Sequence, residues 1–368
     1  MKNKAIYLSH WSALIEYTVG HLGKHFDDYI RERFAPEIAN AKKTTHYVTF
    51  QEKYRGRRRG VFVHLCRTAL PKNATRRRKG QPIVCPEYAF LQVALKLSIH
   101  HLILLGLILC ATPKGRKPLT TRAKLEAFTE AAEYHAGRDR ARRAIQYIRD
   151  GCRSPMEALT YMKLCLPNRL GGAGLSGAEF DYRIDLEAEE AATIDVQTHV
   201  RADLAFPKHK VIVEYDSSMY HSEEEEQIRD VVRADIIRSK DNTVIPVHKM
   251  DLYDLNNHYT LLQDLIGTMD LKLRIRARNF ALGFEQIRSL LPRWHSQSWE
   301  PSTQAIHRKI RYLISQRERG ELLPKPRRRD KVLRRALEII DFYDQMKVPM
   351  NRQHGYCESI DFNVIWAA

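Results

Sequence analysis

Apolar positions along the chain recur with two different periods, and the change of period marks its elements. In "TTRAKLEAFTEAAEYHAG", Leu125, Phe128 and Ala132 recur at helical spacing, which predicts a helix closed by Gly137. A second helix, "RDRARRAIQYIRDG", is expected to end at Gly151. "SPMEALTYMKLCLP" predicts a third, with Ser154 as N-cap, Pro155 at the first helical position, Glu157 at the third and Pro167 as the stop. After the Gly-rich "LGGAGLSGAE" the period shortens. "FDYRIDLE", "ADLAFP" and "VIVEYD" read as strands, the last two joined by a turn over "PKHK". "SEEEEQIRDVVRADIIRSK" reads as a helix, "TVIPVH" as a strand and "DLYDLNNHYTLLQDLIG" as a helix. The order helix, three strands, helix, strand, helix predicts a mixed α/β sheet flanked by helices. Upstream, "YRGRRRGVFVHLC" and "NATRRRKGQPIVC" read as short strands separated by basic turns. Three regions follow: a basic α+β region over 1–151, the α/β region over 152–268 and a basic, mainly helical region over 269–368.

Composition narrows the function classes. The chain has 368 residues, enough for more than one core. Its 61 Lys and Arg against 44 Asp and Glu give a formal charge of +17, which points to a polyanionic partner and says nothing of fold. The longest apolar run, "LILLGLILCA" from Leu102 to Ala111, is about half what a bilayer requires and reads as a buried helix or strand, so no membrane partner is expected. "MKNKAIYLSHWSALIEY" lacks the uninterrupted apolar core of a signal peptide. The six cysteines form no CxxC pair and no zinc spacing. Buried or free thiols and a cytoplasmic location are the expectation.

Candidate chemistry concentrates in "RADLAFPKHKVIVEYDSSMYH", Arg201 to His221. Strand alternation sets Ile212, Glu214 and Asp216 on one face, and Val211, Val213 and Tyr215 on the other. A turn over 207–210 folds Asp203 back alongside Glu214. Carboxylates at about 5 Å on adjacent strands repel unless a cation joins them. A hard divalent ion, Mg²⁺ or Mn²⁺, suits such oxygen donors.

These residues resemble the PD-(D/E)XK nucleases, most closely the branch related to the very-short-patch-repair endonuclease. Asp203, ten intervening residues and Glu214-x-Asp216 match the signature. "S-x-x-E" is matched by Ser154 and Glu157, "D-L-x-x-P" by the stretch from Asp203, and "D-x-x-R" by Asp230 and Arg233. "PIVCPEYAFLQVA" and the helices up to Gly151 resemble the AbiEi-type antitoxin region often attached to such modules. The resemblance spans roughly residues 45–255. Departures are Ala202 for the signature proline, Asp216 for its lysine and Ser217 for the glycine that usually follows. What the resemblance implies is a restriction-endonuclease-like core and hydrolysis of phosphodiester bonds in DNA, double-stranded above all. Asp203, Glu214 and Asp216 would hold the metal, with Glu157 as a further ligand or an orienting group. His221 would donate to a phosphate or transfer a proton. It also implies a place in phage defence or mobile-element biology, with room for a homodimer or a protein partner.

Each residue also has a plainer reading. Ser154–Glu157 is a full capping box, Asp216 can begin a turn, and Asp230 with Arg233 can be a surface pair. Ser222 with Glu223 to Glu225 reads as a capped helix start facing the positive helix end. Arg57, Arg58 and Arg59, Arg76, Arg77 and Arg78, and Arg274 and Arg276 of "LKLRIRAR", with Arg233, are candidates for the phosphate backbone. Trp294 and Trp299 suit packing better than base stacking. Two rival functions stay open: a non-catalytic DNA-binding regulator on the same fold, and an antitoxin-like interaction protein.

Overall fold

The computed structural model describes residues 6–193, 198–216, 232, 235–272, 275, 277, 280–292, 303–326 and 330–345. They fall into two compact units, one up to Ala158 and one from Leu159. No helix among them is long and apolar enough to cross a membrane.

The first unit is built on a six-stranded mixed sheet. Its strands are β1 (Ile6–Leu8), β2 (Thr45–Thr49), β3 (Gly56–Arg58), β4 (Val61–Leu65), β5 (Thr75–Arg78) and β6 (Gln81–Val84), in the order β3-β4-β2-β1-β6-β5. The two arginine-rich stretches are hairpins, β3–β4 and β5–β6, at opposite edges of this sheet. Lys79 and Gly80 both have positive φ, as a two-residue type I′ turn requires. Helices α1 (His10–Thr18), α2 (Lys24–Arg33) and α3 (Ala35–Lys43) link β1 to β2, and α4 (Pro86–Val93) follows β6.

The apolar run begins inside helix α5 (Ile99–Leu109) and ends at Ala111, just past its C-cap Cys110; Ser98 caps the helix by accepting the His101 amide, and Leu102 to Ala111 are buried. The helix expected to close at Gly137 is shorter. Helix α6 (Arg122–Ala131) ends before Tyr134, whose φ of +61° turns the chain, and Gly137 instead precedes α7 (Arg138–Ile145). Helix α8 (Pro155–Cys165) has the expected cap: Ser154 Oγ accepts the Glu157 amide at 3.1 Å, and Glu157 Oε2 accepts the Arg153 amide at 2.8 Å.

The second unit holds a four-stranded sheet with strands in sequence order. These are β7 (Glu179–Asp185), β8 (His199–Phe206), β9 (Val211–Asp216) and β10 (Thr243–His248). The first three form an antiparallel meander, and β10 lies parallel to β9. A short helix α9 (Ala188–Thr193), absent from the sequence reading, falls between β7 and β8. Residues 235–239 are helical and precede β10, so the expected element order is present among the described residues except for the inserted α9 and a last helix that is split in two. Helices α10 (Lys249–Tyr253), α11 (Leu255–Thr268), α12 (Phe280–Arg288), α13 (Thr303–Glu318) and α14 (Lys331–Gln345) complete the unit. The helices beyond residue 269 share this unit with the sheet. Their apolar faces form one core through Phe280, Phe284, Ile310, Leu313, Leu333 and Ile339. The α12 backbone comes so close to Leu170 and Gly171 that a Cβ on Gly171 would sit 1.9 Å from the Phe284 nitrogen. Residues 271, 272, 275 and 277 of "LKLRIRAR" are not in a strand.

Candidate functional site

The hairpin between β8 and β9 turns through a 3-10 segment over Pro207–His209 and Lys210, whose φ is +53°. Val211, Ile212 and Val213 are buried, so both faces of β9 are covered at its start, whereas Glu214 is only half-buried. The paired register ends at Leu204 opposite Val213, and one further step sets Asp203 opposite Glu214. There the ladder gives way to a side chain. The Tyr215 amide donates to Asp203 Oδ2 at 3.0 Å, which orients this half-buried carboxylate. Asp203 and Glu214 are thus brought together at the point where burial of the strand stops. Asp216 follows on β9 with its backbone paired to His248, and its side chain lies outside the described residues.

A third acid at this level was missed in the sequence. The β7–β8 ladder skips Asp181, which lies opposite Asp203. Asp181 has φ of +50°, and Arg201 Nη1 donates both to its carboxylate at 2.9 Å and to its carbonyl at 3.1 Å. The signal was the Asp inside "FDYRID", a poor strand former in the middle of an alternating run.

Glu157 belongs to the first unit, where it is buried and accepts the amide of Arg153, the residue before the Ser154 cap. His221, Asp230, Arg233, Arg274, Arg276, Ser217, Ser222 to Glu225, Trp294 and Trp299 lie outside the described residues.

The basic runs are divided by strand alternation. Arg57, Arg58 and Arg59 are exposed on one edge hairpin. On the other, Arg76 Nε donates to the Tyr17 hydroxyl at 2.8 Å, and the Arg76 and Arg78 guanidiniums lie 4.8 and 5.0 Å from the Tyr17 ring centre. Tyr17 in turn donates to the Val84 carbonyl at 2.8 Å. Arg76, itself exposed, and half-buried Arg78 therefore brace the hairpin, while exposed Arg77 donates to the Gly80 carbonyl.

Two further clusters were invisible in the sequence. In the second unit Lys163 is buried, its Nζ has no hydrogen-bond partner among the described residues and it sits 4.1 Å from the Phe284 ring centre. Burial, with the Arg288 and Arg335 guanidiniums nearby, holds its pKa well below the ordinary lysine value. Glu285 accepts from Arg335 Nη2 at 2.6 Å and Nε at 3.2 Å. Burial pushes the Glu285 carboxyl up, but Arg335 and Arg288 outweigh it and hold the pKa below the usual carboxylate value.

In the first unit His10, His46 and His64 converge, each offering one ring nitrogen within 4.8 Å of the others. Burial first, and then the neighbouring imidazoles, keep His10 well below the ordinary histidine value and lower His64 to about 4. His10 and His64 also line a cavity of about 280 Å³ with Cys66, Tyr88, Gln92 and His135. The cysteines Cys66, Cys85, Cys110, Cys152 and Cys165 are free thiols.

No family model, curated protein or solved structure was found to match the chain.

Proposed function

We propose that the second unit is a metal-dependent endonuclease acting on DNA, with Asp203 and Glu214 as the core of its site. The observation that carries this reading is the pair itself: two carboxylates set opposite each other where a buried hairpin meets solvent. The donor set is all oxygen and half-buried, which fits a hard divalent ion such as Mg²⁺ or Mn²⁺. When bound, such an ion supplies Lewis acidity toward a phosphodiester. Asp203 is pre-oriented by the Tyr215 amide, and Glu214 is fixed by its strand position. Asp216 is the third candidate ligand, and His221 the candidate proton carrier or phosphate donor. Exposed Arg57, Arg58, Arg59 and Arg77, within a net charge of +17, supply cations for a phosphate backbone. Phage defence, a homodimer or a protein partner rests on the family resemblance alone.

The test is cleavage of supercoiled plasmid by the full chain with Mg²⁺ or Mn²⁺. Asp203→Asn and Glu214→Gln are each expected to lower cleavage by about 100-fold or more. No cleavage by the parent chain, or unchanged cleavage by both variants, sinks the catalytic reading. Binding without cleavage that weakens steeply with salt would instead favour a DNA-binding regulator, a reading supported by the same basic hairpins.

A further inference from the structure

We propose that His10, His46 and His64 form a binding site for a borderline divalent transition metal, Zn²⁺ foremost, separate from the carboxylate pair. Three elements deliver the ligands. His46 lies on β2 and His64 on β4, which are parallel neighbours. His64 pairs with Val48, two residues beyond His46, so alternation puts both imidazoles on one face of the sheet. His10 is the first residue of α1, directly after β1, and β1 pairs with β2.

The geometry is that of converging ligands. His46 Nδ1 and His64 Nε2 are 2.8 Å apart, and ring centres are separated by 4.1 Å (His10–His64), 5.1 Å (His46–His64) and 5.6 Å (His10–His46). Two nitrogens each at a Zn–N bond length and at right angles lie roughly 2.9 Å apart, and roughly 3.4 Å apart in a tetrahedron. The hydrogen-bonded His46–His64 pair is already near that separation, and the three candidate nitrogens all lie within 4.8 Å of one another.

His10 is held in a strained backbone conformation. Its φ is +53°, in the left-handed region that a side chain with a Cβ rarely adopts. Its amide donates to Gln92 Oε1 at 3.0 Å, and Ser9 Oγ lies 2.9 Å from its Nδ1. A polar partner on Nδ1 sets the ring and reserves Nε2, the arrangement that metal-ligating histidines use.

Three imidazoles and no carboxylate among the converging groups select nitrogen-seeking metals over Mg²⁺. Three protein ligands leave a fourth position open, and His10 and His64 already line the cavity beside them. An ion held here would join β2, β4 and the β1–α1 junction, and would present a Lewis-acidic position to a water-sized or small ligand.

The test uses the full chain, stripped of metal with a chelator and dialysed against Zn²⁺, with metal content read by elemental analysis. One equivalent per chain is expected, with His46→Gln and His64→Gln each binding at least tenfold more weakly. His25→Gln, on an exposed part of α2, should bind like the parent. Because a variant can lose its fold, the parent's imidazole ¹⁵N resonances provide a second reading: Zn²⁺ should shift those of His10, His46 and His64 together. Substoichiometric zinc, unshifted resonances for the three, or folded variants that bind as tightly as the parent would overturn the site.

Discussion

Lys163 and Glu285 occupy the same buried cluster, yet their removal should act in opposite directions. Lys163 is 1% exposed and Glu285 3%. Around the single carboxylate of Glu285 stand three cations, Arg335 at 2.6 Å, Arg288 at 3.6 Å and the Lys163 ammonium, whose pKa Glu285 raises. Glu285→Gln removes the carboxylate that all three share, and among the described residues Arg335 keeps only the part-exposed Glu338, at 2.8 Å, as an ion-pair partner. The expected loss is about 3–5 kcal/mol. Lys163→Met keeps an unbranched apolar side chain one atom shorter, but removes the amine that sits over the Phe284 ring and has no hydrogen-bond partner at its Nζ among the described residues. Loss of a cation–π contact costs up to about 2 kcal/mol, against several kcal/mol for desolvating the ammonium beside two guanidiniums. The net effect should be a gain of about 1–3 kcal/mol.

Urea unfolding followed by circular dichroism measures both changes. With a slope near 2 kcal/mol per M, Glu285→Gln should lower the midpoint of the second unit by about 1.5–2.5 M, and Lys163→Met should raise it by about 0.5–1.5 M. A pH series adds a second reading. The folded Lys163 has a depressed pKa and the unfolded one does not, so between the two values the unfolded chain binds the extra proton. Stability then rises with pH across that window. Lys163→Met should remove this slope. A Lys163→Met chain destabilised by more than about 1 kcal/mol, or one that keeps the slope, would refute the reasoning.

Two further outcomes follow from the same physics. Gly171→Ala combines a φ of +83° with a Cβ only 1.9 Å from the Phe284 nitrogen, so it should cost at least about 3 kcal/mol. Gly20→Ala, at φ +78° with open space around the Cβ, should cost about 1 kcal/mol, and equal losses in thermal unfolding would contradict this contrast. In the first unit the His101 pKa is lowered to about 4, by burial first and then by Arg33 and His100. The unfolded histidine takes up its proton near pH 6.5, so the metal-free chain should lose stability as pH falls from about 6.5 toward 4. A melting temperature that stays flat over that range would rule this out.

Local patterns carried much of the architecture. Alternation in "VIVEYD" and the turn over 207–210 were enough to place Asp203 beside Glu214, because strand period and hairpin length leave few registers. Ser154, Pro155 and Glu157 announced their helix, since capping involves only neighbouring residues. Gly137 misled, because a glycine near a helix end marks a turn without saying on which side of it the next helix begins. Charge counts could not tell which arginines brace the hairpin: Arg76 and Arg78 meet Tyr17 from 59 and 61 residues away, a distance no local pattern spans. The same holds for the two clusters of chemistry that no motif announced. His10, His46 and His64 meet only because β1 and β4 both flank β2, and Lys163 meets Glu285 and Arg335 only through the packing of α8, α12 and α14. The sequence by itself determined the elements and the carboxylate hairpin, where the physics is short-range. Tertiary structure alone decided which distant imidazoles and charges share a space, because desolvation and convergence are properties of the packed chain.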